Sequence, residues 1–493
     1  MNKMVFPMVM LACLCSSWGV GTPKPKKIHL LMEGPYETPQ DVTRACLECH
    51  EDEAADFQHS RHWNWLGEPF EHEGKTIRLG KANLINNFCV AIASNEPRCT
   101  SCHAGYGWKD GNFDFSKQEN MDCLVCHDQT GKYEKFPTDA GYPVFDQEEK
   151  LFKEKNKVFK KVDLLEIAQH VGAPRIENCG SCHFFGGGGH GVKPGDLDRS
   201  LIKATPEIDV HMGHADPAKR MNCASCHKVE DKHDIRGALH ASMAANANHF
   251  HCTDCHTGPE VHQKRLKNTL NRHVLSLECG TCHITEVAKV HPTKTWWDWS
   301  TAGDKQRETG QDENGMALYD WKKGDFLWKK NLKPEYRWYD GSTGIYLMGE
   351  AIEDPSVPLV MNPPNGDYHN ANAKIAPFKV MRGKQFYDQN TKQLLIPHLF
   401  GKGGYWDLVD WDRAFVDGMK SVGLEYSGSH GVVETEMYWP LHHMVSPAKQ
   451  ALRCGDCHPK DGVPSLMDWH ALGYPGDPVK TNVNRITESV VRW

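Results

Sequence analysis

Cys99-Thr-Ser-Cys102-His103, Cys123-Leu-Val-Cys126-His127 and Gly131-Lys132-Tyr133-Glu134-Lys135 form the stretch that decides how this chain is read. Two C-x-x-C-H motifs stand close together, and lysines follow within reach of both. In such a motif two thiols form thioethers to the haem vinyls, and the histidine reaches the iron from the same short turn. The motif recurs outward along the chain. It is found at Cys46, Cys49 and His50; at Cys179, Cys182 and His183; and at Cys223, Cys226 and His227. It is found again at Cys252, Cys255 and His256; at Cys279, Cys282 and His283; and at Cys454, Cys457 and His458. Eight motifs use sixteen of the 19 cysteines and leave Cys13, Cys15 and Cys89. Disulfides and zinc ribbons are the competing readings of paired cysteines, and a histidine after every pair argues against both.

Eight covalently attached haem c groups account for the composition. Only 39% of the 493 residues are apolar, which is low for so long a chain, and porphyrin replaces side chains as core. The 43 Gly and 28 Pro point to loops wrapped around cofactors. The expected fold class is therefore a multihaem cytochrome c: mainly α-helix and loop around eight haems, with little sheet. A formal net charge of −7 argues against nucleic acid as partner.

Residues 1–27 read as an export signal removed on secretion, with a short n-region at Lys3 and an apolar run from Val5 to Trp18. Met10-Leu11-Ala12-Cys13 faintly resembles a lipoprotein cleavage site, and simple removal is favoured over a lipid anchor. The expected location is the periplasm, because haem is attached to such motifs outside the bacterial cytoplasmic membrane. Residues 28–290 form a haem-rich domain with seven motifs. Residues 291–440 carry none and are rich in Trp, Gly and Pro. Residues 441–493 return with the eighth.

Seven bis-histidine irons need seven distal ligands, and 21 histidines lie outside the motifs. The candidates are His62, His190, His211, His233, His262, His273 and His443; His249 and His251 read as surface residues. Gln147 to Gln169 reads as a charged helical stretch, and Asp407 to Ser421 as a helix. For 291–440, a packing layer of aromatic area is favoured over a channel wall that sets Lys374, Lys379, Arg382 and Lys384 beside an anion path. Cys89 reads either as a small buried residue or as a thiol at an active site. A bound calcium is left open and has no specific motif.

Several runs go beyond the haem motifs. They are Cys123-Leu-Val-Cys-His127-Asp128 with Tyr133-x-Lys135-x-Pro137 and Ala140-Gly141-x-Pro143; Cys182-His-Phe-Phe-Gly-Gly-Gly-Gly189; Trp297-Asp-Trp-Ser-Thr-Ala-Gly303; and Cys454-Gly-Asp-Cys-His with Leu472-Gly-Tyr-Pro-Gly-Asp477. In these the chain resembles octahaem tetrathionate reductases, relatives of octahaem hydroxylamine oxidoreductase and pentahaem nitrite reductase. The resemblance covers nearly the whole mature chain.

It implies that the haem on Cys99 and Cys102 is the active site and that a lysine amine binds its iron, leaving His103 a non-ligand. Lys135 is the expected lysine, with Lys132 and Lys153 as alternatives, and Cys89 matches the family's cysteine near the active haem. The family pattern has a histidine after Val192-Lys193, where this chain has Pro194; His190 then takes over as ligand, or one more iron is open, or the loop is rebuilt. The implied reaction is reduction of tetrathionate to thiosulfate. The electron donor is expected to be quinol-linked or a periplasmic cytochrome, and any membrane association to run through that donor or a lipid anchor. Nitrite or hydroxylamine reduction, hydroxylamine oxidation, and pure electron carriage are the alternatives.

Overall fold

The computed structural model describes residues 28–72, 74–186, 189–229, 233–237, 250–257, 261–262 and 267–483. The expected signal segment, His249, Gly187 and Gly188 lie outside these. Among the described residues no helix is long and apolar enough to cross a membrane.

Residues 28–290 are held by short pieces. Pro39–Leu47 is among the longest helices there, capped by Thr38, whose side chain accepts from Asp41 N while the Asp41 carboxylate accepts from Thr38 N. Small clusters such as Val42, Leu124, Val162, Leu164 and Ile167 form between these pieces rather than one continuous core. That pattern suits a chain built to surround flat cofactors.

The stretch expected as a charged helix from Gln147 is instead an antiparallel hairpin, Glu149–Phe152 with Lys157–Lys160, followed by a short helix, Leu164–Gln169. Phe152 and Phe159 are buried while Leu151 and Val158 face solvent. That alternation has period two, and Asn156 supplies the left-handed turn at φ 47°.

Residues 293–440 build a seven-stranded sheet, so the region is more regular than a loop-rich covering layer. The central strand, Lys374–Asp388, pairs antiparallel with His430–Pro440 along its length. On its other edge it pairs with Glu335–Tyr339 and, in parallel, with Thr293–Asp298. Gly324–Lys329, Tyr319–Asp320 and Leu359–Val360 complete the sheet. Charged residues at 379, 382 and 384 interrupt the apolar run and hide the strand from a pattern reading. Lys379 is buried all the same, because its ammonium donates to Val192 O, Lys193 O and Thr293 Oγ1.

Helix Trp411–Ser421 packs on this sheet through Ala414, Phe415, Gly418 and Met419. A Cβ at Gly418 would meet Ile396 O at 1.9 Å, so only glycine permits this approach. The helix expected from Asp407 starts later, because Val409 at φ 57° ends a first turn, Tyr405–Leu408, and Asp410 caps the second.

The sheet also fixes a segment of the haem-rich half. Ile85, Phe88, Val90 and Ala91 join the core formed by Trp297, Met381, Phe386 and Phe415, with Cys89 packed against it. Asn87 Nδ2 donates to Met381 O at 2.7 Å and Gln385 Nε2 to Asn86 O at 3.1 Å. Asn95 then accepts from Leu399 N at 2.7 Å. Residues 85–95, which lead into Cys99, are thus tied to the haem-free region at both ends.

Candidate functional site

Each attachment motif lies on a short turn. Residues i, i+3 and i+4 share one face of a helical turn, which puts both thiols and the histidine on the same side. The turn is closed by a hydrogen bond from the histidine N–H to the first cysteine's carbonyl. That bond is present for His50, His127, His227, His256 and His458, at 2.7–3.1 Å. At the second motif His103 N donates to Thr100 O instead, at 2.8 Å. The turn there is tighter, and His103 leaves it with extended backbone.

Seven motif histidines face a second imidazole. The ring centres are 6.0 Å apart for His62 and His183, 6.1 Å for His29 and His50, and 6.2 Å for His127 and His233. They are 6.1 Å apart for His211 and His256, 6.1 Å for His227 and His443, 6.4 Å for His262 and His283, and 6.5 Å for His273 and His458. Two imidazoles on opposite faces of one iron put their ring centres roughly 6.3 Å apart, given metal–nitrogen bonds of about 2.0–2.1 Å. The residues present therefore fit seven bis-histidine haems.

The outer ring nitrogens fit as well. His127 Nδ1 is 2.9 Å from Gly172 O, His227 Nδ1 2.8 Å from Arg236 O, and His273 Nδ1 2.8 Å from Thr269 O. His458 Nδ1 meets Asp477 at 2.6 Å and His443 Nδ1 meets Asp196 at 3.2 Å. A carbonyl or carboxylate only accepts, so Nδ1 carries the proton and the Nε2 lone pair is left for a metal.

His103 is arranged the other way. Its ring is fully buried among Trp63, Trp65, Trp108, Phe113 and Phe115, with centroids 5.0–6.2 Å away. Burial pushes its pKa down to about 3, so it is neutral. Its Nε2 lies 2.7 Å from Trp63 O and must donate there. The nitrogen that a haem iron would use is already occupied, and among the described residues no second histidine faces the ring.

Lys135 stands beside that turn. Its Nζ is 2.5 Å from His103 O, 3.3 Å from Gly105 O and 2.8 Å from the Asp122 carboxylate. Lys132, by contrast, pairs with Glu166 at the surface, and Lys153 is exposed.

Cys89 lies within hydrogen-bonding reach of Cys99, and its thiol is pushed down to about 6. The largest cause is the Cys99 thiol, which is consumed once haem is attached; burial, which raises it, then stands against Arg98 and Lys323, which favour thiolate. Lys193 lies among Cys89, Cys102 and Cys182, and burial followed by Lys81 lowers its pKa to about 8. Among the described residues no carboxylate ion-pairs with Lys81 or Lys193.

The sulfurs also give an order. Cys46 lies within hydrogen-bonding reach of Cys123, Cys102 of Cys182, Cys179 of Cys223, and Cys252 of Cys279. Cys126 adjoins Cys179, Cys226 adjoins Cys255, and Cys282 adjoins Cys454. The motifs therefore run first, third, fourth, fifth, sixth, seventh, eighth, and the second branches from the fourth.

Other expected residues fall elsewhere. His190 faces no motif histidine; it stacks on His291 at 4.2 Å and 11°, too close for an iron between the rings. His29 takes a seventh position that the sequence reading missed, although it is the one histidine between residue 28 and Cys46. Arg382 is neutralised by Glu335 and Glu436 at 2.7–3.0 Å, and Lys379 holds backbone, so these two residues do not line an anion path. Among the described residues no group of three or more His, Cys, Asp or Glu is placed to hold a metal ion.

The chain is similar to known multihaem cytochromes. Residues 45–130 match the family model "Cytochrome c554 and c-prime", and residues 294–461 match "Cytochrome c bacterial". An uncharacterised protein of Archaeoglobus fulgidus is 24% identical over 231 residues, 39% of this chain and 75% of that one. The crystal structure of octahaem cytochrome c from Shewanella oneidensis superposes with a TM-score of 0.83 at 43% identity, covering 94% of this chain and 99% of that chain.

Proposed function

The chain belongs to the octahaem cytochrome c family, and on that premise we propose that it is a reductase of small sulfur oxyanions, tetrathionate first, working at the motif of Cys99 and Cys102. The observation that carries this reading is the odd motif itself. Seven motif histidines face a second imidazole, whereas His103 is turned into an aromatic cage with its Nε2 spent on Trp63 O. Haem, when bound, supplies an electron store at each motif and, where one face of an iron lacks a protein ligand, a site that accepts a small anion.

The remaining roles belong to the chain. Each histidine pair would hold one iron, and Lys135 would supply its amine to the iron at Cys99 and Cys102. Lys81 and Lys193 gather the dianion by charge. The aromatic cage and the tied segment 85–95 fix the motif and keep Cys89 beside it. The reaction adds two electrons to tetrathionate, breaks its central S–S bond and releases two thiosulfates. We place the protein in the periplasm, supplied by a quinol-linked or cytochrome donor.

Cys89 separates this reading from nitrite or hydroxylamine reduction. In Cys89→Ser holoprotein, tetrathionate turnover is expected to fall at least about 10-fold, since the sulfur beside the motif is lost, while nitrite turnover stays near wild type. Loss of both activities alike, or of neither, contradicts a sulfur-specific role.

Lys193 sets a pH dependence. It is charged below about 8 and neutral above, so anion affinity is expected to weaken as pH rises through that value. Steady-state kinetics should show KM for tetrathionate climbing across this window. Lys193→Met should raise KM at lower pH and remove the climb.

A further inference from the structure

We propose that Asp122 is a positioning residue, its buried carboxylate aiming the Lys135 amine at the iron of the Cys99 and Cys102 haem. This rests on the reading of Lys135 as that iron's ligand. The Asp122 side chain is fully buried and Lys135 nearly so, with Nζ 2.8 Å from Oδ2. A neutral amine has two N–H groups and one lone pair. Nζ has three acceptors, Asp122 Oδ2, His103 O and, at 3.3 Å, Gly105 O; the two nearer ones match the two N–H groups, and the lone pair of a metal-bound amine takes the direction of the longest contact.

The carboxylate is itself held rigidly. Tyr106 Oη donates to Oδ1 at 2.8 Å, Tyr133 Oη donates to Oδ2 at 2.9 Å, and Val125 N donates to Oδ1 at 3.0 Å. Burial raises both phenols well above their ordinary range, so both stay protonated as donors. Asp122 N also donates to Ala104 O at 3.0 Å, and Tyr106 N to Asn120 O at 2.8 Å. The segment after the second motif therefore runs against the segment before the third, and Asp122 is fixed to both. Gly141, at φ 91°, closes over this contact: a Cβ there would lie 2.2 Å from Gly105 O and 3.5 Å from Lys135 Nζ. A carboxylate that accepts from a metal-bound N–H orients the ligand and makes it a stronger donor, as it does behind metal-bound histidine.

The test compares Asp122→Asn, the double variant Tyr106→Phe with Tyr133→Phe, and Lys135→Arg as holoproteins, by EPR and by potentiometric titration of each haem. The seven low-spin signals report folding. In Asp122→Asn we expect those seven unchanged, the eighth haem's signal altered and its midpoint potential raised, with turnover reduced about 10- to 100-fold. The double tyrosine variant should shift the same haem in the same direction by less, and it decides the matter should Asp122→Asn lose the low-spin set. An eighth haem with wild-type signal and potential in whichever variant folds overturns the proposal. Should Lys135→Arg also leave that haem unchanged, it is the lysine ligation that fails.

Discussion

Lys135→Arg is expected to abolish the spectrum of one haem and leave seven as they are. Arginine places N–H donors opposite Asp122, so the buried carboxylate keeps a partner. Its guanidinium does not deprotonate in proteins and offers no lone pair to a metal. The iron at Cys99 and Cys102 should then lose its axial amine while the paired histidines are untouched. Reductase turnover should fall on the order of 100-fold or more, a barrier increase of about 2.7 kcal/mol. Lys135→Leu should show the same spectrum with lower stability, by about 1–3 kcal/mol, because it leaves a buried carboxylate short of a hydrogen-bond donor. EPR of the oxidised holoprotein and thermal unfolding separate the two effects. Wild-type turnover in Lys135→Arg removes the lysine from the site.

His62→Ala should have the second large effect, at a distance from the substrate. His62 faces His183 at 6.0 Å, and the fourth motif adjoins the third and fifth motifs as well as the second. Loss of this imidazole opens a second iron at the junction of the array. The count of ligand-responsive haems should rise from one to two, and turnover should drop at least about 10-fold with the catalytic motif intact, since the altered ligand set moves the potential of the haem that feeds it. Added imidazole, filling the vacated space, should restore the low-spin signal and much of the turnover. His190→Ala, at the stacked pair with His291, should change no haem signal. The opposite pattern, with His190 required and His62 dispensable, contradicts the pairing given by the ring distances.

Haem attachment was legible because it is local: thiols and histidine sit within five residues and need no tertiary context. Partner histidines are remote in sequence. His211 precedes the fifth motif yet faces His256 of the sixth, and His273 precedes the seventh yet faces His458 of the eighth. Sequence can therefore nominate a histidine without saying which iron it serves. His29 was missed because it follows the presumed leader directly. His190 is a candidate from the sequence because Pro194 replaces the family's histidine, and only the fold shows His291 stacked on it.

The sheet was illegible for a different reason. Lys379, Arg382 and Lys384 break the apolar pattern of Lys374–Asp388; the cost of Lys379 is offset by backbone carbonyls and that of Arg382 by Glu335 and Glu436, which come from elsewhere in the chain. The role of that sheet is equally non-local. Through Asn87 and Asn95 it fixes the segment carrying Cys89 ahead of the second motif.

The most direct measurement is the spin state of every ferric haem in the oxidised holoprotein, by quantitative EPR with and without nitrite. Seven low-spin bis-histidine haems that ignore nitrite, and one haem of different signature that responds to it, are expected. Eight low-spin haems, all unmoved by nitrite, would contradict this and leave an electron carrier.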